Sequence, residues 1–78
     1  MTNIEKEALE HLARRPRTCS EIGSLLWGRP HRKPQAFARP GGRLLHRMKR
    51  EGLVTQYYDG RHFFLWRLTP AGEKRIKP

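Results

Sequence analysis

Arg39, Gly42, Arg43, His46 and Arg50 fall on one side of a helix at about 100° per residue, with Arg47 and Lys49 flanking them and apolar Leu44, Leu45 and Met48 opposite. Residues of these types in this pattern suit a polyanion. A guanidinium donates two parallel bonds to guanine or pairs with phosphate, an ammonium supplies a mobile point charge, and glycine leaves the backbone open to close approach. Arg29, Arg32 and Lys33, with His31 among them, form a second basic cluster on a proline-containing stretch, where flexible cations would touch phosphates without fixed geometry. Arg61 and His62 follow Asp59-Gly60, a favoured hairpin turn, and form a third.

The charge balance sets what these clusters require. The chain has 78 residues, 17 of them Lys or Arg against seven Asp or Glu, for a formal net charge of +10. Its isoelectric point is near 11.1. Residues 14–50 hold eleven of the basic side chains and one acid, Glu21, and no acidic residue lies between Glu21 and Glu51. Local ion pairs cannot neutralise that stretch, so it calls for an anionic partner or a wide hydrated face.

Other chemistry is poorly provided for. Cys19, His11, His31, His46 and His62 do not fall at the short spacings of zinc sites, so neither a metal nor another cofactor is expected. Nucleophile–base pairs, paired carboxylates and a phosphate-cradling glycine loop are also missing, which argues against an enzyme. A domain this small buries only about 60% of the surface its unfolded chain exposes, leaving little apolar material to enclose a pocket. A single cysteine cannot form an internal disulfide, and no apolar run is long enough for a signal peptide or membrane span. A cytoplasmic, nucleoid-associated protein without a membrane partner is the expectation.

The elements that must position the basic residues are legible from caps and periodicity. Thr2 and Glu5 form a capping box for a first helix whose Ile4, Ala8, Leu9 and Leu12 make an apolar stripe, with Arg14 and Arg15 at its end and Pro16 as its stop. Thr18 and Glu21 repeat the box for a short second helix with Ile22, Leu25 and Leu26 inward, ended by Trp27-Gly28. Residues 28–39 carry Pro30 and Pro34 and read as an extended or irregular basic connector, from which Phe37 tucks into the core. Pro40 suits the first turn of a third helix, and Gly52 its terminator. Gly41 and Gly42 point to close backbone approach, by the second helix or by a ligand.

From Leu53 the pattern alternates as in strands. A two-residue turn at Asp59-Gly60 places Tyr57 opposite His62, Thr55 opposite Phe64 and Leu53 opposite Trp66. Leu53, Tyr57, Phe64, Trp66 and Leu68 then close the core, while Val54, Phe63 and Leu65 lie on the other face. Apolar residues on both faces point to a second contact, a homodimer interface or the connector. Thr69 and Pro70 start a short last helix. The expected fold is α+β: a three-helix helix-turn-helix core with a two-stranded hairpin wing and a short C-terminal helix, as one domain over residues 1–78.

In detail the sequence resembles the MarR-type transcription regulators. Ser20-Glu21-Ile22 looks like the start of their second helix, and Leu44-Leu45 with Met48 and Glu51-Gly52-Leu53-Val54 looks like the end of their recognition helix. Asp59-Gly60-Arg61 and Leu68-Thr69-Pro70-Ala71-Gly72 are similar to their wing and following helix. The resemblance spans residues 18–76. It implies a winged helix that binds double-stranded DNA through the third helix, with Arg61 in or beside the minor groove. MarR-type proteins are larger, with further helices for dimerisation and an effector pocket, so ligand sensing is not carried over. The connector also exceeds their usual turn.

Three binding functions fit these features. The first is a small DNA-binding regulator or architectural protein, which the unbalanced charge of the third helix favours. The second is an interaction module that grips a protein partner in a transcription or nuclease complex, which the outer-face Phe63 and Leu65 favour. The third is binding to structured RNA, which charge alone does not separate from DNA.

Overall fold

The computed structural model describes residues 3–61 and 64–77. Helix α1 (Asn3–Arg14) leads to α2 (Cys19–Trp27), a 3₁₀ turn (Pro34–Phe37), α3 (Ala38–Arg50), the antiparallel strands β1 (Val54–Tyr58) and β2 (Phe64–Leu68), and α4 (Pro70–Ile76). The α+β order of three helices, hairpin and short last helix is the expected one. Thr2 lies outside the described residues, so the first capping box is not seen, whereas the second is complete. Thr18 Oγ1 accepts the Glu21 amide at 3.1 Å and Glu21 Oε1 accepts the Thr18 amide at 3.3 Å. Thr69 likewise caps α4 by accepting the Gly72 amide at 3.1 Å, with Pro70 in its first turn.

The core joins Ala8, Leu9 and Leu12 of α1, Ile22 of α2, Leu44, Leu45 and Met48 of α3, and Leu53, Val54 and Trp66 of the wing. Burying each large apolar side chain contributes about 1.5–3 kcal/mol against the entropy of ordering the chain. Two residues assigned to helix stripes remain exposed, Ile4 at 38% and Leu25 at 47%. Helix α2 turns Ile22 and Gly23 inward and packs Leu26 against the core, because α3 crosses it backbone to backbone. A Cβ at Gly41 would strike the Cys19 carbonyl and the Gly23 amide, and a Cβ at Gly23 would strike the Phe37 carbonyl. The close approach expected at Gly41 is therefore with α2, and Gly23 is its unforeseen partner. Phe37 is half-buried and contributes this carbonyl contact, so it is not the core aromatic expected.

The connector is shorter and more ordered than its prolines suggested. A turn over Arg29–Arg32, closed by an amide-to-carbonyl bond of 3.1 Å, precedes the 3₁₀ turn, and α3 begins at Ala38, so Arg39 belongs to the helix. Pro40 is the third residue of α3; the first helical amides lack intrahelical partners, so its missing N–H costs nothing there.

The hairpin register differs from the expected one. Val54 faces Leu68, Gln56 faces Trp66 and Tyr58 faces Phe64, a slip of three residues that exchanges the two faces of β1. Leu53 sets it from outside the hairpin: its amide donates to Met48 O at 3.0 Å and its carbonyl accepts the Thr69 amide at 3.1 Å. These bonds anchor both strand ends to the helices and leave a longer loop at the tip, where Gly60 has a φ of 84°. Val54 is consequently buried with Trp66, Tyr57 moves to the opposite face, and Phe64 is 56% exposed. Leu65 does lie on the opposite face, half-buried beside Tyr57; Phe63 falls outside the described residues. Arg17 adds a one-residue third strand, exchanging backbone bonds of 3.1 and 2.8 Å with Trp66.

Candidate nucleic-acid interface

The α2–α3 crossing and the Leu44–Leu45–Met48 stripe turn the other side of α3 outward. Arg39, Gly42, Arg43, His46, Arg47, Lys49 and Arg50 line a shallow trough of about 1030 Å³ there. Arg39, Arg43 and Arg50 are exposed. Lys49 Nζ donates to Gln56 Oε1 of β1 at 3.4 Å, tying the end of α3 to the wing. The basic residues Arg47, Lys49 and Arg50 occupy the last turn, where they also suit the negative end of the helix dipole.

Arg47 is engaged elsewhere. Its guanidinium donates to Glu5 Oε1 of α1 at 3.0 Å, and that carboxylate is buried. The spacing of 42 residues hid this pair, and it makes Arg47 first a clamp between α1 and α3. His46 is held too: its ring meets Trp66 edge to face, so it stands between the outer helix face and the wing.

A second groove, of about 610 Å³, runs between the first turn of α2, the 3₁₀ turn, α3 and the wing. Gly42 and His46 line it from α3, Phe64 and Trp66 from β2, and Ser20, Gln35 and Gln56 add polar groups. Gln35 and Gln56 were not singled out in the sequence, and Ser20 only as part of a helix start, because only the tertiary fold brings their elements together. Two acids reach the same groove. The Glu21 carboxylate is covered by Arg15 at 2.8 Å and Arg17 at 3.8 Å. Asp59 Oδ1 accepts the Arg61 amide at 2.8 Å, and the Tyr58 hydroxyl donates to the Arg61 carbonyl. Burial, then repulsion from Arg15, lowers the Arg17 pKa from its ordinary value; Glu21 opposes this and Arg14 adds to it.

Arg61 is exposed in the wing loop, and His62 lies outside the described residues. Arg29, Arg32 and Lys33 are exposed before the 3₁₀ turn, and from this segment it is Pro34 and Gln35 that reach the groove. The basic residues thus separate into a helix face, a wing tip and a connector.

Among the described residues, no group of three His, Cys, Asp or Glu could hold a metal, and no helix is long and apolar enough to cross a membrane.

A helix pair crossing at α2 and α3, followed by a hairpin that closes the core, defines a winged helix-turn-helix. Solved structures share the fold. The Staphylococcus aureus MepR–DNA complex superposes with a TM-score of 0.78 at 22% identity, covering 97% of this chain and 59% of that one. MepR, a transcription regulator of the S. aureus multidrug efflux pump MepA, gives 0.75 at 23% identity, covering 97% of this chain and 53% of that one. A cysteine-to-serine mutant of Lactococcus lactis ZitR in complex with DNA gives 0.66 at 20%, covering 91% and 44%. The chain spans about half the length of these proteins. No family model and no curated protein matches the sequence. The resemblance to MarR-type regulators therefore holds at the level of the winged-helix fold.

Proposed function

We propose that this chain binds double-stranded DNA as a regulator, placing the outer face of α3 in the major groove and the wing against the backbone or minor groove. The observation that carries this reading is the exposed Arg39–Arg43–Arg50 face of α3 on a fold that MepR and ZitR also have, both in complex with DNA. An α-helix fits the major groove of B-DNA, and arginine there pairs bidentately with guanine. Arg43, near the centre of the face, is the base reader; Arg39, Lys49 and Arg50 pair with phosphates on either side. His46 sets the distance between helix and wing. Arg61 enters or flanks the minor groove, where a narrow groove concentrates negative potential. Arg29, Arg32 and Lys33 add affinity without sequence preference.

The test is binding of labelled duplexes selected from a random pool, across salt concentrations and against structured RNA competitors. Duplex binding that weakens steeply with salt, with RNA competing poorly, supports the reading. Binding indifferent to salt overturns the electrostatic basis. Preference for the RNA replaces DNA with RNA as partner, and absence of nucleic-acid binding transfers the function to protein interaction, for which exposed Leu25 and the paired Tyr58 and Phe64 supply apolar surface.

A further inference from the structure

The glycines of this chain are explained by their surroundings, with one exception. Gly23, Gly28, Gly41 and Gly72 stand where an added Cβ would strike neighbouring backbone, and Gly52 and Gly60 have positive φ. Gly42 has neither constraint. It lies within α3, it has no positive φ, and a Cβ built there meets nothing within 4 Å. A glycine inside a helix costs stability against alanine, because its backbone loses more freedom on ordering. Among the described residues, no close packing at Gly42 offsets that cost.

Its place suggests what does. Gly42 and His46 are the residues shared by the basic trough on α3 and the groove between α3 and the wing. With no side chain at 42, the wall between the two depressions drops to bare helix backbone there. A duplex that offers its major groove to α3 and the adjacent minor groove to the wing must pass one sugar–phosphate strand between them. The opposite wall suits such a strand. Phe64 lines it at 56% exposure, giving an apolar surface for deoxyribose, and the Tyr58 ring backs Phe64 at 5.4 Å. Arg39 and Arg43 supply positive charge on the α3 side, and both acids in the groove are already engaged, Glu21 by arginines and Asp59 by the Arg61 amide.

We infer that Gly42 is the crossing point of the DNA backbone, a position kept free of a side chain so that one sugar–phosphate strand passes directly over α3 into the groove beside the wing. This rests on the duplex-binding reading. It makes Gly42 a determinant of docking depth, acting by sterics where the arginines act by charge.

The experiment compares the wild-type chain with Gly42→Ala and Gly42→Gln for thermal unfolding and for affinity to the selected duplex. Both substitutions favour the helix, so Tm rises, by about 4–8 °C for Ala. Duplex affinity falls in the same proteins, by about tenfold or more for Ala and further for Gln, since the added atoms hold the strand away. Affinity within about twofold of wild type in the more stable Gly42→Ala protein overturns the inference and leaves the DNA reading standing. Failure of the wild type itself to bind any duplex overturns that reading, and the inference with it.

Discussion

The His46 imidazole meets the Trp66 indole edge to face, with ring centroids 5.0 Å apart and planes at 89°. One ring stands on the outer face of α3 and the other is the buried anchor of β2, which Arg17 also holds through its backbone. The contact links the proposed reading helix to the wing, and it predicts a graded pair of effects. Trp66→Ala should destabilise by about 3–5 kcal/mol, because it empties the junction of wing and core. His46→Ala should cost only about 0.5–1.5 kcal/mol of aromatic contact, yet weaken duplex binding by loosening the wing relative to α3. Chemical denaturation and duplex titration of both variants check this. A Trp66→Ala midpoint equal to wild type would mean the indole does not anchor the wing.

Arg47 should report on stability before binding. Its partner Glu5 is buried while Arg47 is half-exposed, so losing the guanidinium leaves a carboxylate short of one bond in partial contact with water. Arg47→Ala should cost about 1–3 kcal/mol, and Glu5→Gln less, since the amide oxygen still accepts. A double-mutant cycle by denaturation measures the coupling. Near-zero coupling, with a large loss of duplex affinity for Arg47→Ala, would return Arg47 to the binding face.

The glycines of the helix crossing should behave oppositely to Gly42. Gly41→Ala and Gly23→Ala drive a Cβ into backbone atoms that have nowhere to go, so each should destabilise by about 3 kcal/mol or more. Thermal melts of the three alanine variants test the contrast. Similar melting of Gly41→Ala and wild type would mean that α2 and α3 do not cross so closely.

Base reading and phosphate pairing should separate by location. Arg43→Ala should lose about 1–3 kcal/mol on the preferred duplex and much less on a scrambled one, because a bidentate contact to guanine is sequence-dependent. The double variant Arg32→Ala/Lys33→Ala should weaken both duplexes alike and lower the slope of log affinity against log salt by about 2. Equal losses on both duplexes for Arg43→Ala would remove it from the base-reading role.

Much of this architecture is written locally. Thr18 with Glu21 and Thr69 with Gly72 mark helix starts through bonds that span three residues, so the two caps are readable without tertiary information. The stripe of Leu44, Leu45 and Met48 likewise determines which side of α3 is buried, and thereby that Arg39, Arg43 and Arg50 face outward.

What the local pattern could not carry depends on partners distant in sequence. Asp59-Gly60 signals a turn but not its length. The register follows from Leu53, bonded to Met48 and Thr69, and an odd slip there exchanged Val54 for Tyr57 on the inner face. Arg47 and Glu5 lie far apart along the chain, so the charge pattern showed a free cation where the fold makes a clamp. Gly41 and Gly42 are adjacent and alike in sequence; only the crossing of α2 over one of them decides that the first is packed and the second is open. Sequence by itself determined the elements, their order and the sign of the outward face, because those depend on neighbours within a helical turn or a strand repeat. Tertiary structure decided which of those residues are occupied by the fold and which remain for a partner, because that depends on where separate elements meet.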